Sequence, residues 1–419
     1  MSVSVKVGTF ATGTGTTTVN SGSLGFAPVA VFLFSNGRGT PGSGTASFAL
    51  SAGFSVSGGD RAATLLSVEG GASGDAQVGR HVTASGTTIN ASAVHDGIGQ
   101  CTLNADDFDF TISDAFTADI DFIWLALGGD VSVADVASPT YSGSTGIEAV
   151  VTGLAYQPKA ALFLVTNAAA TGTATASGYN FTLGCTTGTA AGENWVVGVG
   201  SQTGTNPSNT ARYGLTGECI ASVNPGATIA TGGRGVLSSF NSDGLSVNFT
   251  EAGTAGREFH VITLGGAADF LAGSFNARAD TTQTAVITTG QNPKALLLVS
   301  ANMAASTADA VTASAAMSIG VATSLTARHC VAGTDEDAVT PIDGWTSYHS
   351  DAVYARGDFA DAEAGVMDIA ELGTGTEQFQ FVMDDADPDA NAVVFFLAIG
   401  DEPGAQQPWR FNYQPYLAQ

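Results

Sequence analysis

Two kinds of apolar segment alternate with turn-rich polar stretches along the chain. The first kind is continuous and follows a proline: Pro28-Val29-Ala30-Val31-Phe32-Leu33-Phe34, Pro158-Lys159-Ala160-Ala161-Leu162-Phe163-Leu164 and Pro293-Lys294-Ala295-Leu296-Leu297-Leu298-Val299, with the prolines 130 and 135 residues apart. Runs of this kind suit central strands buried on both faces. A second continuous run ends in glycine: Phe122-Ile123-Trp124-Leu125-Ala126-Leu127-Gly128, Phe259-His260-Val261-Ile262-Thr263-Leu264-Gly265 and Val394-Phe395-Phe396-Leu397-Ala398-Ile399-Gly400, with the glycines 137 and 135 apart. Between them lies strict alternation, at Phe108, Phe110 and Ile112, then Leu245, Val247 and Phe249, then Phe379, Phe381 and Met383. Period two places these side chains on one face of a half-buried antiparallel strand. No segment combines a sustained 3.6-residue period with helix caps. The Ala-rich stretch 305–322 is read as strand, because its aligned counterpart from Tyr179 to Leu183 is strand-like.

Three landmarks in register make a repeat of about 135 residues, which predicts an all-β chain of three tandem β-sandwich-like domains. The boundaries are 1–130, 131–267 and 268–401. Residues 402–419 belong to no repeat and hold four aromatics and three prolines, which predicts an extended arm. Pro408, Trp409, Phe411, Tyr413 and Tyr416 are its candidate docking residues. Two readings of the arm stand side by side, docking on a neighbouring subunit or folding back over the third domain. Under the first, the arm is the expected point of attachment.

Composition narrows the function classes. Thirteen basic against 38 acidic residues give a net charge of −25, which repels phosphate backbones and anionic lipid and excludes nucleic acid as a partner. Charged residues are only 12% of the chain and hydrophobic residues 44%, so it can bury a core beneath a surface of Thr, Ser, Asn and Gly. The opening Met1-Ser2-Val3-Ser4-Val5-Lys6 lacks the pattern of a signal peptide, and no run is long enough to span a membrane. The four cysteines, Cys101, Cys185, Cys219 and Cys330, form no CxxC and read as buried thiols, with a Cys185–Cys219 bridge as the alternative.

Catalytic signals are weak. Gly37-Arg38-Gly39-Thr40-Pro41-Gly42 matches GxGxxG but is followed by strand-like alternation, so it reads as a hairpin loop and not a dinucleotide site. The histidines, His81, His95, His260, His329 and His349, lie singly, and His260 reads as a hydrogen-bonded core residue. Alternate oxygen side chains at Asp385, Asp387, Asp389 and Asn391 resemble the start of a calcium loop, without its glycine at position six or glutamate at position twelve. Calcium is thus the one candidate cofactor, against an acidic hairpin tip. Asp106, Asp107 and Asp243 are the carboxylates a glycan-cleaving site would draw on, at positions where Asp is ordinary turn chemistry. The adhesion tripeptide Arg356-Gly357-Asp358 and the sequons at Asn90, Asn180 and Asn248 are short enough to arise by chance.

The segments YQPKAALFLVTN, opening a unit, and FHVITLGG or FIWLALGG, closing one, resemble the repeated β-rich domain of tailed-bacteriophage virion proteins. The resemblance spans the three units and not the arm. Val29 replaces the Lys159 and Lys294 of the other copies, and the third unit closes with Gly400-Asp401 instead of Gly-Gly. It implies a non-enzymatic virion component, a decoration protein or a tail-tip or fibre adhesin. Such a component is assembled in the host cytoplasm and carried on the extracellular particle. Its expected partners are other virion proteins and a host surface glycan, within a homo-oligomer or symmetric assembly. The competing classes are a tail depolymerase or esterase and a bacterial surface adhesin.

Overall fold

In the computed structural model the chain is all β. It describes residues 2–402 apart from 38–41, 44–46, 70–75, 83–86, 93, 117, 167–173, 176–178, 203–206, 225–229, 279, 282–283, 305–310, 340–343, 358–362, 374–376 and 386–391. The one helical turn among the described residues is Ala191–Glu193.

Among the described residues the strands form three seven-stranded and three four-stranded antiparallel sheets. Their strands come from residues 3–129, 131–266 and 269–401, here called the first, second and third units, with three exceptions described below. In the first unit the large sheet runs Val3–Ala11, Asp121–Gly129, Pro28–Ser35, Ser47–Val56, Arg61–Glu69, Ala76–Val82, and the small sheet Thr18–Asn20, Phe108–Asp114, Val94–Leu103, Thr87–Ser92. The same order recurs in the other two units.

The central strands are apolar throughout because each faces two cores. From Pro28–Ser35, Ala30, Phe32 and Phe34 enter one cluster while Val31 and Leu33 enter another, beneath the small sheet. Ala160–Thr166 divides likewise, Leu162 and Leu164 one way and Ala161, Phe163 and Val165 the other. The alternating strands cover the second core from outside: Phe108, Phe110 and Ile112 point in, and Asp109 and Thr111 lie on the opposite face. Two glycines allow the sheets to approach. A Cβ on Gly184 or Gly320 would stand 1.9 Å from the carbonyl oxygen of Cys219 or Val353, so only glycine fits beneath the backbone crossing there.

The inner cluster is shared. Phe32, Phe54 and Leu125 of the first unit, Phe181, Trp195 and Ile262 of the second, and Met317, Val331 and Phe395 of the third belong to one continuous core. The units are therefore not self-contained sandwiches side by side; each large sheet completes its burial on its neighbours.

The seventh strand of every large sheet comes from another unit. Ala174–Thr175 of the second unit pairs with Ala76–Val82 of the first, and Thr312–Ala313 of the third pairs with Thr210–Thr216 of the second. Gly42–Ser43 of the first unit pairs with Gly344–His349 of the third, and so closes the cycle. All three two-residue strands follow the first central strand of their unit. The glycine-rich loop after Ser35 does connect two hydrogen-bonded neighbours, Pro28–Ser35 and Ser47–Val56, as a hairpin loop should, but it also lends a strand to the third unit.

Candidate functional site

The sheet registers give the ring two distinct ends. Val3 lies opposite Gly129, Val131 opposite Gly266, and Asp269 opposite Gly400, so the start and finish of every unit meet at one end, the terminal end. The exchanged strands leave from the other, because Pro28–Ser35, Ala160–Thr166 and Asn292–Ser300 all run away from the terminal end before the loop begins.

Hydrogen bonds knit the terminal end together. The Asp130 amide donates to Ser2 O at 3.2 Å, the Ala268 amide to Asp130 O at 2.9 Å, and the Val3 amide to Asp401 Oδ1 at 2.8 Å. Gly129 and Gly266 turn the chain from one unit into the next in the left-handed region, at φ of 67° and 113°. The two lysines after the repeated prolines also act here. Lys159 Nζ donates to Ala268 O at 3.1 Å and pairs with Glu402 at 2.8 Å, while Lys294 Nζ stands 3.7 Å from Asp401. Hydrogen bonding and charge from Lys159 hold the Glu402 carboxyl below the usual range.

Beside Lys159, between the second and third units, lies a shallow cleft of about 240 Å³ lined by Gln157, Pro158, Lys159, Thr187, Phe240, Asp269 and Phe270. Its polar groups are already engaged. Gln157 donates to Phe240 O, Thr187 Oγ1 accepts from the Ala272 amide, and Asp269 accepts from the Phe270 amide. Such a wall offers contact area more than a set of free donors. Three tight turns ring the same end, 57–60, 187–193 and 323–327, and the third carries the exposed Leu325.

The exchange end is held by side chains that cross between units. Asn36 Nδ2 donates to the carbonyls of Ala332 and Ser347, from the first unit to the third. Arg212 Nη1 donates to Ala313 O at 2.9 Å and Ser314 O at 3.1 Å, from the second to the third, and the Thr210 amide donates to Asp337 Oδ1 at 2.8 Å.

The sequence-derived candidates scatter. Of the calcium loop, Asp385 is exposed at the end of Gln378–Asp385, while Asp387, Asp389 and Asn391 lie outside the described residues. No three metal-ligating side chains gather among the described residues. Pro408, Trp409, Phe411, Tyr413 and Tyr416 also lie outside them. Asp106 and Asp107 serve a turn: Asp106 accepts from Ser23 Oγ and the Gly25 amide, and Asp107 from Asn104 at 2.6 Å. Hydrogen bonds from Asn104 and Asn20 hold the Asp107 carboxyl low, the reverse of what a general acid needs. Asp243 sits in the turn between Ala230–Asn241 and Gly244–Phe249, in a different unit, with its carbonyl accepting from the Leu154 amide.

Arg356 and Gly357 are buried in Tyr354–Gly357, where a Cβ on Gly357 would strike the Trp345 ring, while Asp358 of the tripeptide lies outside the described residues. Asn180 is fully buried in its strand, which removes that sequon from modification. All four cysteines are buried and free, and burial raises every thiol, that of Cys101 to about 12. His260 is buried with Nδ1 3.0 Å from Ser138 Oγ, the core residue its strand context predicts. His349 pairs with Glu363 at 2.9 Å, and burial followed by the Arg328 charge pushes His329 down to about 4. The side chains of His81 and His95 are outside the description. Other ion pairs, Arg234 with Glu218 and Glu251 and Arg328 with Asp368, brace strands of a single unit.

Sequence reasoning missed the exchange strands and their braces. For the brace at Asn36, the polar Ser35-Asn36 pair directly after the first central strand was the available signal. No family model matches the chain, and no curated protein matches it. Among solved structures, in-vitro-folded OmpT, an outer membrane protein of Vibrio cholerae in its trimer form, is 9% identical over 94% of this chain and 99% of its own, with a TM-score of 0.10, too low to bear on the fold.

Proposed function

We propose that the protein is a non-enzymatic structural component of a tailed-phage virion, a decoration protein or tail-tip adhesin, built by fusing three copies of one β-sandwich unit. The cyclic exchange of strands is the observation that carries this reading. It makes the three units mechanically interdependent, so no unit can be released without breaking sheet pairing on both sides and opening the common core. That is the property of a durable body, whereas enzymes draw their moving lids from weakly held segments. An acidic surface with few long charged side chains suits a particle that must stay dispersed outside cells.

The three units also support a role in gripping. Each presents an outward four-stranded sheet, and the chemistry differs from one to the next: Thr18, Asn20, Asp109 and Thr111 in the first, Ile147 and Asn248 in the second, Val286, Gln380 and Glu371 in the third. Weak contacts to a host surface glycan on one rigid ring would add through effective concentration. Mass spectrometry of purified phage particles, followed by imaging with an antibody to the chain, tests the reading. Signal on the shell or at the tail extremity is expected. Absence from particles overturns it, as does loss of host-polysaccharide viscosity on incubation with the purified protein.

A further inference from the structure

We infer that the cleft between the second and third units binds one ring of a neutral sugar, with Phe240 as its apolar platform and Gln157 and Asp269 as acceptors for the ring hydroxyls. The inference deepens the gripping role proposed above and rests on it for the source of the sugar, a host surface glycan.

The walls of the cleft set the chemistry. Phe240 is half-buried: it packs on the core beneath the second unit's small sheet, and its remaining surface lines the cleft beside Pro158. The polar groups around it are each held through one atom. Gln157 Nε2 donates to Phe240 O at 2.8 Å, and Asp269 Oδ1 accepts from the Phe270 amide at 3.1 Å. Gln157 Oε1 and Asp269 Oδ2 have no partner among the described residues, so both side chains are positioned and what they keep open is acceptors. A ligand for this wall must bring hydrogen-bond donors beside an apolar face. A pyranose does both, with hydroxyls around its rim and C–H bonds on its faces.

Charge and size narrow the class. Lys159, the one cation of that lining, is already paired with Glu402 at 2.8 Å, so an anionic ligand would meet Asp269 unopposed in a chain of net charge −25. A cationic ligand would meet the Lys159 ammonium at the same rim. The volume of about 240 Å³ is below the ~300–1,000 Å³ of pockets that enclose a whole small molecule, so it suits one ring while the rest of a glycan continues into solvent.

The repeat supplies an internal control, because the same place exists at all three junctions with different residues. Phe240 stands opposite Leu245, where Leu103 stands opposite Phe108 and Leu372 opposite Phe379. Asp269 and Phe270, opposite Gly400 and Ile399, correspond to Ser4 and Val5 at the third-to-first junction and to Val133 and Ala134 at the first-to-second. The residue before the repeated proline is Gln157 here, Ala27 and Asn292 elsewhere. An aromatic platform and a carboxylate thus meet at one junction, one from each unit. Aliphatic side chains suffice for packing at the other two, so packing does not account for the pair.

Saturation-transfer NMR on the purified full chain tests the inference, with the methyl glycosides of glucose, galactose, mannose and N-acetylglucosamine as probes and glucuronate and choline as charged comparisons. Transfer to at least one neutral glycoside is expected, at millimolar affinity. Phe240→Leu and Asp269→Ser give the cleft the residues of other junctions. Each should weaken binding about tenfold, the effect of one aromatic contact or one charged hydrogen bond, with thermal melts matching the parent. No transfer to any neutral glycoside, parental affinity in both variants, or tighter binding of glucuronate or choline overturns the inference and leaves the virion reading standing. Absence of the chain from particles, with the sugar still bound, overturns the virion reading and keeps the cleft.

Discussion

The junction between the first and second units and that between the second and third are each crossed by the polypeptide, at Gly129-Asp130-Val131 and from Gly266 to Asp269. The junction between the third and first is not, yet it is built in the same way. Its exchanged strand is Gly42–Ser43, its terminal contact is the Val3 amide on Asp401, and its brace is Asn36 on the carbonyls of Ala332 and Ser347. A covalent link is thus incidental to what holds neighbouring units together. The work is done by the shared core and by crossing hydrogen bonds, which are present three times.

The junctions differ in the residue each places at one equivalent position of its facing strand. One step beyond the glycine that admits the small sheet, the second unit pairs Cys185 with Trp195 and the third pairs Val321 with His329. Trp195 is fully buried, packs its ring 5.9 Å from that of Phe395, and donates Nε1 to Phe396 O at 2.8 Å. His329 is half-buried in the corresponding place, and the third unit adds Tyr348 to the shared core. The second unit thus places a large apolar anchor at this position, the third a titratable group, and the first the small Ala62, opposite Phe54.

The comparison can be broken most forcefully at Trp195. Trp195→Ala should cost about 3–5 kcal/mol in urea unfolding, the range for deleting a buried aromatic, with an added share for the unpaired Phe396 carbonyl. A cost below about 1 kcal/mol would mean that the core is not shared across this junction. Asn36→Ala comes next. It leaves two carbonyls of the third unit without their donor and should cost about 1–3 kcal/mol. The loss should register as earlier hydrogen exchange in Arg328–Asp335 and Gly344–His349 of the third unit, and protection unchanged there would remove Asn36 as a brace.

A pH series sharpens the contrast further. Folded His329 stays neutral down to about 4, whereas in the unfolded chain it protonates near 6.5, because burial and Arg328 disfavour the cation in the fold. Between those values the unfolded state binds the extra proton, so this group's contribution is full above about 6.5, declines as pH falls through the window, and is lost below about 4. The difference in unfolding free energy between wild type and His329→Gln should therefore change across pH 6.5–4 and stay flat from 7 to 8. A parallel pair of curves would discount the group. The smallest effect is expected from circular permutation, opening the chain at Asp130 and joining Glu402 to Ser2 by a short linker. Since the ends already meet, the permutant should unfold in one transition within about 1 kcal/mol of the parent. A separate early transition from one unit would show that the peptide crossings matter more than the contacts.

Much of the architecture was legible in the chain. Continuous runs after Pro28, Pro158 and Pro293 and alternation at Phe108, Leu245 and Phe379 report burial on two faces and on one, which is a property of each strand alone. Gly42–Ser43 was not legible as a strand of the third unit, because two residues carry no periodicity. Trp195 could be read as core but not as a bridge between units, since its partner Phe396 lies 201 residues on. Lys159 was visible as part of a repeated motif, though nothing near it in sequence indicated that Glu402 would be its counter-ion.

By itself the sequence determined the all-β class, the spacing of the landmarks and the acidic surface, because pattern, turn chemistry and charge act over a few residues. Tertiary structure alone decided that the units close into a cycle, which loops are lent across it and where both ends emerge, because those outcomes depend on pairings between residues 95 or more positions apart.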